Sequence, residues 1–259
     1  KTAAVARPPL PHGLRHGLRV DEAVDDIEPQ PLQPLDLAAA EQVAFTRTLG
    51  TFAPDGAGDE PTAISIDPRS GPSAKLTRGA FFWHFDGYMN PVPVRASLLA
   101  CEQPATRGGD TQFANTYAAW DALPDARKAQ CEGLRVVHAL AHAQLAVEPE
   151  PSHARLAELL RVPRATLPLV WTHRSGRKSL VIGNSAAGVL GMDPVESLDL
   201  LVWLRDWATQ ERFTHNHAWR AGDLVLWDNT GTLHRVLPYD AASGRRMRRT
   251  KLAGEEPFA

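Results

Sequence analysis

The chain has 259 residues, 43% of them hydrophobic, and its 28 basic and 30 acidic residues leave a formal charge of −2. That length supports one substantial core. The even mixing of signs excludes the broad basic surface that nucleic acid or an anionic membrane would need, so a small molecule is the expected partner and a homo-oligomer stays open. Cys101 and Cys131, the two cysteines, lie one in an apolar strand-like run and one at the end of a helix-like run and read as reduced thiols of a cytoplasmic protein, and no apolar run approaches the roughly 18 residues of a bilayer span.

Residues 1–35 are rich in Pro, Arg, Asp and Glu and read as an arm ahead of a single domain spanning 36–259. Asp36 is placed to cap a helix over 38–49, with Glu41 near its start and Gly50 to end it. Short β-like runs follow at 81–86, 97–101, 134–138, 167–172 and 179–182. Between the last two, 172–178 predicts a hairpin, because Gly176 can supply a positive φ. Pro194 suits the first turn of a helix after Asp193, and Leu198, Leu201, Leu204 and Ala208 recur on one stripe. Further short runs occupy 213–219, 224–227, 233–237 and 247–253. Many short strands with few helices predict a mainly β protein with flanking helices around a double-stranded β-helix, a cupin-like jelly roll.

The first chemical signal is Trp83-His84-Phe85-Asp86, since a histidine and a carboxylate two apart on an extended segment project to one face and can grip one cation. His234, beyond the turn Asp228-Asn229-Thr230-Gly231, is the candidate third ligand. Two histidines and one carboxylate leave coordination positions open, as non-haem Fe(II) oxygenases require. Rival pairs are His138 with His142, read as a border of the site, His215 with His217, read as a solvated strand face, and His12 with His16 in the arm. None has a third ligand nearby in sequence, and zinc leans on His and Cys where the cysteines here stand apart. On a strand, Arg245, Met247 and Arg249 share a face, so a guanidinium there could grip a carboxylate with two hydrogen bonds.

Together with Gly108-Gly109-Asp110-Thr111, Thr172-His173, Ser175-Gly176-Arg177-Lys178, Trp227-Asp228-Asn229, Leu233-His234-Arg235 and Arg249-Thr250, these pieces resemble the taurine dioxygenase / 2,4-dichlorophenoxyacetate dioxygenase (TauD/TfdA) family from about residue 81 onward. The resemblance implies Fe(II) on His84, Asp86 and His234, with 2-oxoglutarate and O2 as co-substrates. It also implies that Thr111 and Arg245 hold 2-oxoglutarate and that Arg249 is a second site arginine, facing a substrate anion or reinforcing the co-substrate pocket. Trp227 and Asn229 would shape the pocket floor.

The implied reaction oxidises an unactivated C–H bond of a small organic molecule and releases succinate and CO2, and an acid at position 86 argues for hydroxylation over halogenation. Taurine fits poorly: the taurine enzyme's histidine-bearing loop has no counterpart from Thr51 onward, and its asparagine four residues before the first ligand is Ala80 here. Phe82, Tyr88, Met89 and Asn90 beside the metal motif predict a larger, more apolar pocket, which Arg249 would share, and residues 139–165 are a candidate lid. The alternatives are an oxygenase that cleaves sulfonates, alkyl sulfates or aryloxyalkanoates, a metallohydrolase, and a non-catalytic metal-binding jelly roll.

Overall fold

The computed structural model describes residues 38–56, 58–71 and 73–258. The arm, Asp36, His12 and His16 lie outside them. In chain order the elements are α1 (Ala39–Leu49), β1 (Thr62–Ile64), α2 (Ser73–Thr77), β2 (Ala96–Gln103), β3 (Thr111–Asn115), α3 (Thr116–Asp121), α4 (Asp125–Cys131), β4 (Arg135–His138), α5 (Leu140–Leu145), α6 (His153–Leu160), β5 (Ala165–Pro168), β6 (Val170–Thr172), β7 (Lys178–Leu180), β8 (Ala186–Val189), α7 (Pro194–Ala208), β9 (Thr214–His217), β10 (Leu224–Asp228), β11 (Thr232–Val236) and β12 (Arg246–Leu252). All strand pairings are antiparallel.

The strand orders are β1-β12-β2-β10, β11-β3-β9, β5-β4-β8 and the hairpin β6-β7, and with the flanking helices they form the jelly roll that the sequence predicts. In the hairpin Thr172 faces Lys178 and Gly176 sits at φ +82°. Period-two alternation sorts β12 between two jobs. Thr250 meets α1, through Thr46 Oγ1 at 2.7 Å and Gln42 Nε2 at 3.3 Å, while Arg249 reaches Asp86 on the other side. The first turn of α1 is closed by Glu41, whose carboxylate accepts from the Ala38 N–H at 2.8 Å.

Two expectations need correction. Residues 81–86 form no strand: Arg78–Phe81 is a 3₁₀ turn, and only His84 pairs, with His234. In α7, Asp193 Oδ1 accepts from the Val195 and Glu196 N–H groups and so starts the helix as expected, but Ser197, Leu200, Leu201, Leu204 and Ala208 are buried and Leu198 faces solvent. The predicted lid region contains α5 and α6, and Gln144 of α5 donates to the Leu76 carbonyl at 3.4 Å. Cys101 and Cys131 are buried free thiols. Among the described residues, no helix is long and apolar enough to cross a membrane.

Candidate active site

His84, Asp86 and His234 converge, their ligand atoms all within 4.8 Å of one another. His234 sits at the middle of β11, and reciprocal backbone hydrogen bonds of 3.0 and 2.8 Å tie it to His84, bringing the two rings to 4.2 Å between centroids with their planes tilted by 46°. His84 Nδ1 lies 2.9 Å from the Phe82 carbonyl, so that nitrogen carries the proton and Nε2 keeps a free lone pair. The site lies between two sheets. His234 comes from β11, while Asp86 is gripped by residues of the β2–β12 sheet: Ser97 Oγ donates to it at 3.1 Å, and Arg249 Nη1 donates to both carboxylate oxygens at 3.1 Å.

The electrostatics suit a divalent cation. Burial, the nearby His84 and Arg249 push His234 down to about 3 against the pull of Asp86, and burial likewise lowers His84. Burial alone would raise Asp86, but Arg249, His234, His84 and Ser97 outweigh it and hold the carboxyl well below the usual carboxylate range. Two neutral imidazoles and an ionised carboxylate are the protonation states that metal binding demands, so none has to lose a proton first. His234 turns Nε2 toward Asp86, 4.0 Å from Oδ1, while its Nδ1 is buried without a hydrogen-bond partner among the described residues.

Arg245 is the second unsatisfied group. Its side chain is 4% exposed, Nη2 donates to the Gly109 carbonyl at 3.1 Å, Nε has no partner, and the guanidinium stacks over Tyr239 at 4.8 Å. It makes no ion pair among the described residues, and burial lowers its pKa against the opposing pull of Tyr239, Cys101 and Asp110, so the buried charge would gain from an arriving anion. Thr111 is 3% exposed on β3 and accepts from the Trp219 indole at 2.9 Å. Arg249 differs from Arg245 in being paired already, to Asp86 and, through Nη2, to Asp55 Oδ2 at 3.2 Å.

Asn229 is the residue that sequence reasoning undervalued. Its amide, 2% exposed, accepts from the Asp86 N–H at 2.8 Å and donates to the carbonyls of Asp86 and Val94, both at 2.9 Å. It therefore fixes the backbone of a ligand 143 residues away in sequence. Trp227 packs at 4.9 Å from His234, centroid to centroid. Of the candidate pocket residues, Phe82, Met89 and Asn90 are exposed, and Tyr88 is half-buried against His138, with 5.7 Å between rings.

His138 is fully buried, bonded through Nδ1 to Ser185 Oγ at 2.9 Å. His217 is buried too, 3.0 Å from Asp223 Oδ2, which corrects its reading as part of a solvated face. A cavity is lined by Phe85, Trp171, Val181, Asn229, Leu233 and Phe258, and none of the three converging ligands lines it.

Comparison with known proteins agrees with this geometry. The family model described as "Taurine catabolism dioxygenase TauD, TfdA family" matches residues 30–251. The (S)-phenoxypropionate/alpha-ketoglutarate-dioxygenase of Sphingobium herbicidovorans is 33% identical over 85% of this chain and 79% of its own length. The alpha-ketoglutarate-dependent 2,4-dichlorophenoxyacetate dioxygenase of Cupriavidus pinatubonensis is 40% identical over 64% of this chain, which spans only 58% of that relative. Among solved structures, AAD-2 in complex with Mn(II) and N-oxalylglycine superposes with a TM-score of 0.77 at 30% identity, over 86% of this chain and 83% of that one. The chain belongs to the TauD/TfdA family and is a 2-oxoglutarate-dependent non-haem iron dioxygenase that uses Fe(II), 2-oxoglutarate and O2.

Proposed function

We propose that this enzyme hydroxylates an unactivated C–H bond of a small, partly apolar organic molecule larger than taurine, with succinate and CO2 as co-products, and that it acts in the cytoplasm. In this reading His84, Asp86 and His234 hold the iron, Thr111 and Arg245 hold the distal carboxylate of 2-oxoglutarate, and Arg249 fixes Asp86. The observation that carries it is a three-ligand cluster within 4.8 Å together with a buried guanidinium, Arg245, that has no ion-pair partner among the described residues and lies just before β12. One answers to a divalent metal, the other to a carboxylate.

Iron with 2-oxoglutarate and O2 supplies the oxidising power, and the protein's share is to orient and enclose. Asn229 and the His84–His234 backbone pair hold the ligands in place. The Phe82 carbonyl sets the His84 tautomer. Arg245 and Thr111 would fix the co-substrate's far end. Phe82, Tyr88, Met89, Asn90 and Arg249 would form the rim that meets the substrate.

A second reading, cleavage of an aryloxyalkanoic acid, draws support from the relatives named for phenoxypropionate and 2,4-dichlorophenoxyacetate. One experiment addresses both. Anaerobic protein with Fe(II) and 2-oxoglutarate should develop a charge-transfer absorption band. A panel of aryloxyalkanoic acids, their methyl esters, alkyl sulfates and neutral aromatics is then screened for 2-oxoglutarate consumption and product mass. A gain of one oxygen supports hydroxylation, and release of a phenol supports the second reading. Absence of the band, with binding unchanged by His84→Ala, would refute the site assignment.

A further inference from the structure

We propose that Trp219 is a positioning residue for the co-substrate: by donating its indole N–H to the Thr111 hydroxyl, it turns that hydroxyl's own hydrogen outward, toward the distal carboxylate of 2-oxoglutarate. The proposal rests on the reading of Thr111 and Arg245 as the seat of that carboxylate.

The chemistry follows from the inventory of the two groups. An indole nitrogen can only donate, whereas a threonine hydroxyl has one hydrogen and two acceptor lone pairs and is free to rotate. Left alone in a buried site, that rotor could present a lone pair to an incoming carboxylate and repel it. The Trp219 Nε1–Thr111 Oγ1 bond, 2.9 Å long and buried, occupies an acceptor lone pair, and the hydroxyl hydrogen must then point away from the indole. Hydrogen bonds to an ionised acceptor are roughly twice as strong as neutral ones, and the low dielectric of a buried pair strengthens the oriented dipole further.

Trp219 is itself held in place. It follows β9, where His217 lies directly across from Thr111 in the β3–β9 ladder. The His217 ring meets the indole edge to face, with centroids 4.5 Å apart and planes at 79°. His217 Nε2 is 3.0 Å from Asp223 Oδ2, and the same oxygen accepts from the Arg220 N–H at 2.9 Å, so the turn after β9 is tied back onto the ring that supports Trp219. On the other side, Arg245 Nη2 reaches the Gly109 carbonyl, two residues before Thr111. The guanidinium thus supplies charge and the oriented hydroxyl supplies direction at one point of the fold.

Trp219 also packs against Leu99, Cys101, Trp227 and Met247, so the test has to separate its N–H from its bulk. Anaerobic Fe(II)-loaded enzyme is titrated with 2-oxoglutarate and the dissociation constant read from the charge-transfer band for wild type, Trp219→Phe, Thr111→Val and the double variant. Loss of one such hydrogen bond predicts binding weaker by roughly 3- to 10-fold in Trp219→Phe. The double variant should bind no more weakly than Thr111→Val alone, because the indole acts only through that hydroxyl. Benzothienylalanine at position 219 removes the N–H, keeps the ring shape, and should reproduce Trp219→Phe even where phenylalanine leaves a packing defect. Wild-type affinity with benzothienylalanine, or losses that multiply in the double variant, would overturn the positioning role. Unchanged affinity in Thr111→Val would instead overturn the seat itself.

Discussion

Removing the Asn229 amide should loosen both the fold and the metal site. Asn229→Ala strands three buried backbone groups: the Asp86 N–H, the Asp86 carbonyl and the Val94 carbonyl, now bonded at 2.8, 2.9 and 2.9 Å. Each unpaired buried group costs about 1–3 kcal/mol, and water entering the vacated space recovers part of it, so a net loss of roughly 3–5 kcal/mol is expected. For a chain of this size that lowers the melting temperature by about 6–20 °C. Because Asp86 then drifts relative to His84 and His234, Mn(II) affinity should fall about 10- to 100-fold, as for loss of an outer-shell partner. Thermal melts of the metal-free protein and Mn(II) titration would measure the two effects. Asn229→Asp refines the comparison: it keeps the shape but turns an anionic oxygen toward two carbonyls. That carboxyl is favoured in its protonated form in the fold, so the variant's deficit should grow as pH rises above about 4. A stability loss under 1 kcal/mol with unchanged Mn(II) affinity would refute the clamp.

Three further outcomes follow from the geometry. Arg245→Met removes a buried charge that has no ion-pair partner, so it should weaken 2-oxoglutarate binding at least 10-fold while leaving the melting temperature of the ligand-free protein equal or higher; a lower melting temperature would show that the charge is already satisfied. Burial pushes His138 down to about 4, so the folded form holds it neutral, and the stability this lends is lost as pH falls from about 6.5 toward 4. His138→Phe should flatten that part of the pH–stability curve of the metal-free protein by at most about 3 kcal/mol, and an unaltered curve would count against a neutral buried ring. Gly183 sits at φ +133°, and a Cβ there would stand 3.0 Å from the Trp83 carbonyl and 3.2 Å from His84 Cα, so Gly183→Ala should displace His84 and weaken Mn(II) binding several-fold. Unchanged Mn(II) binding would mean that the metal segment yields freely.

The metal motif was legible because two ligands lie two residues apart and the third follows a recognisable turn into β11. The shared face of Arg245 and Arg249 was read from strand periodicity alone, whereas Arg245 precedes β12 and a register shift falls between Arg246 and Met247, so simple alternation does not carry across to it. Residues 81–86 misled because Phe81, Phe82 and Trp83 look like a strand, yet after the 3₁₀ turn only His84 finds a backbone partner. The stripe on α7 slipped because Leu198 and Leu200 are alike in hydropathy, and which one is buried depends on how the helix rolls onto β8, where Ser197 Oγ accepts from the Val189 N–H at 2.7 Å. Asn229, through three side-chain hydrogen bonds, and Trp219, through one, reach residues more than a hundred positions away. A turn asparagine and a buried tryptophan carry no local sign of such partners.

Charge balance bears on what the rim around Arg249 can accept. Arg245, Arg249 and Lys251 are positive, while Asp86 and Asp55 are negative; Asp55 pairs with both Arg249 and Lys251, and Asp86 with Arg249. This set carries one net positive charge. Fe(II) and doubly ionised 2-oxoglutarate cancel one another, so the loaded site keeps that charge, and it is only partly solvated because Arg245 is buried and the Arg249 side chain is 21% exposed. A substrate with a single carboxylate would neutralise it, whereas a dianion would leave an excess of negative charge, costly at low dielectric. Asp55 is the adjustable member, since its side chain is 28% exposed on the loop before β1. Exchanging it for asparagine raises the net charge to two, frees the Arg249 Nη2 edge, and should move preference toward acids over their methyl esters. If acids and esters responded equally to that exchange, Arg249 would serve Asp86 alone, and the acid-cleaving reading would lose its electrostatic support.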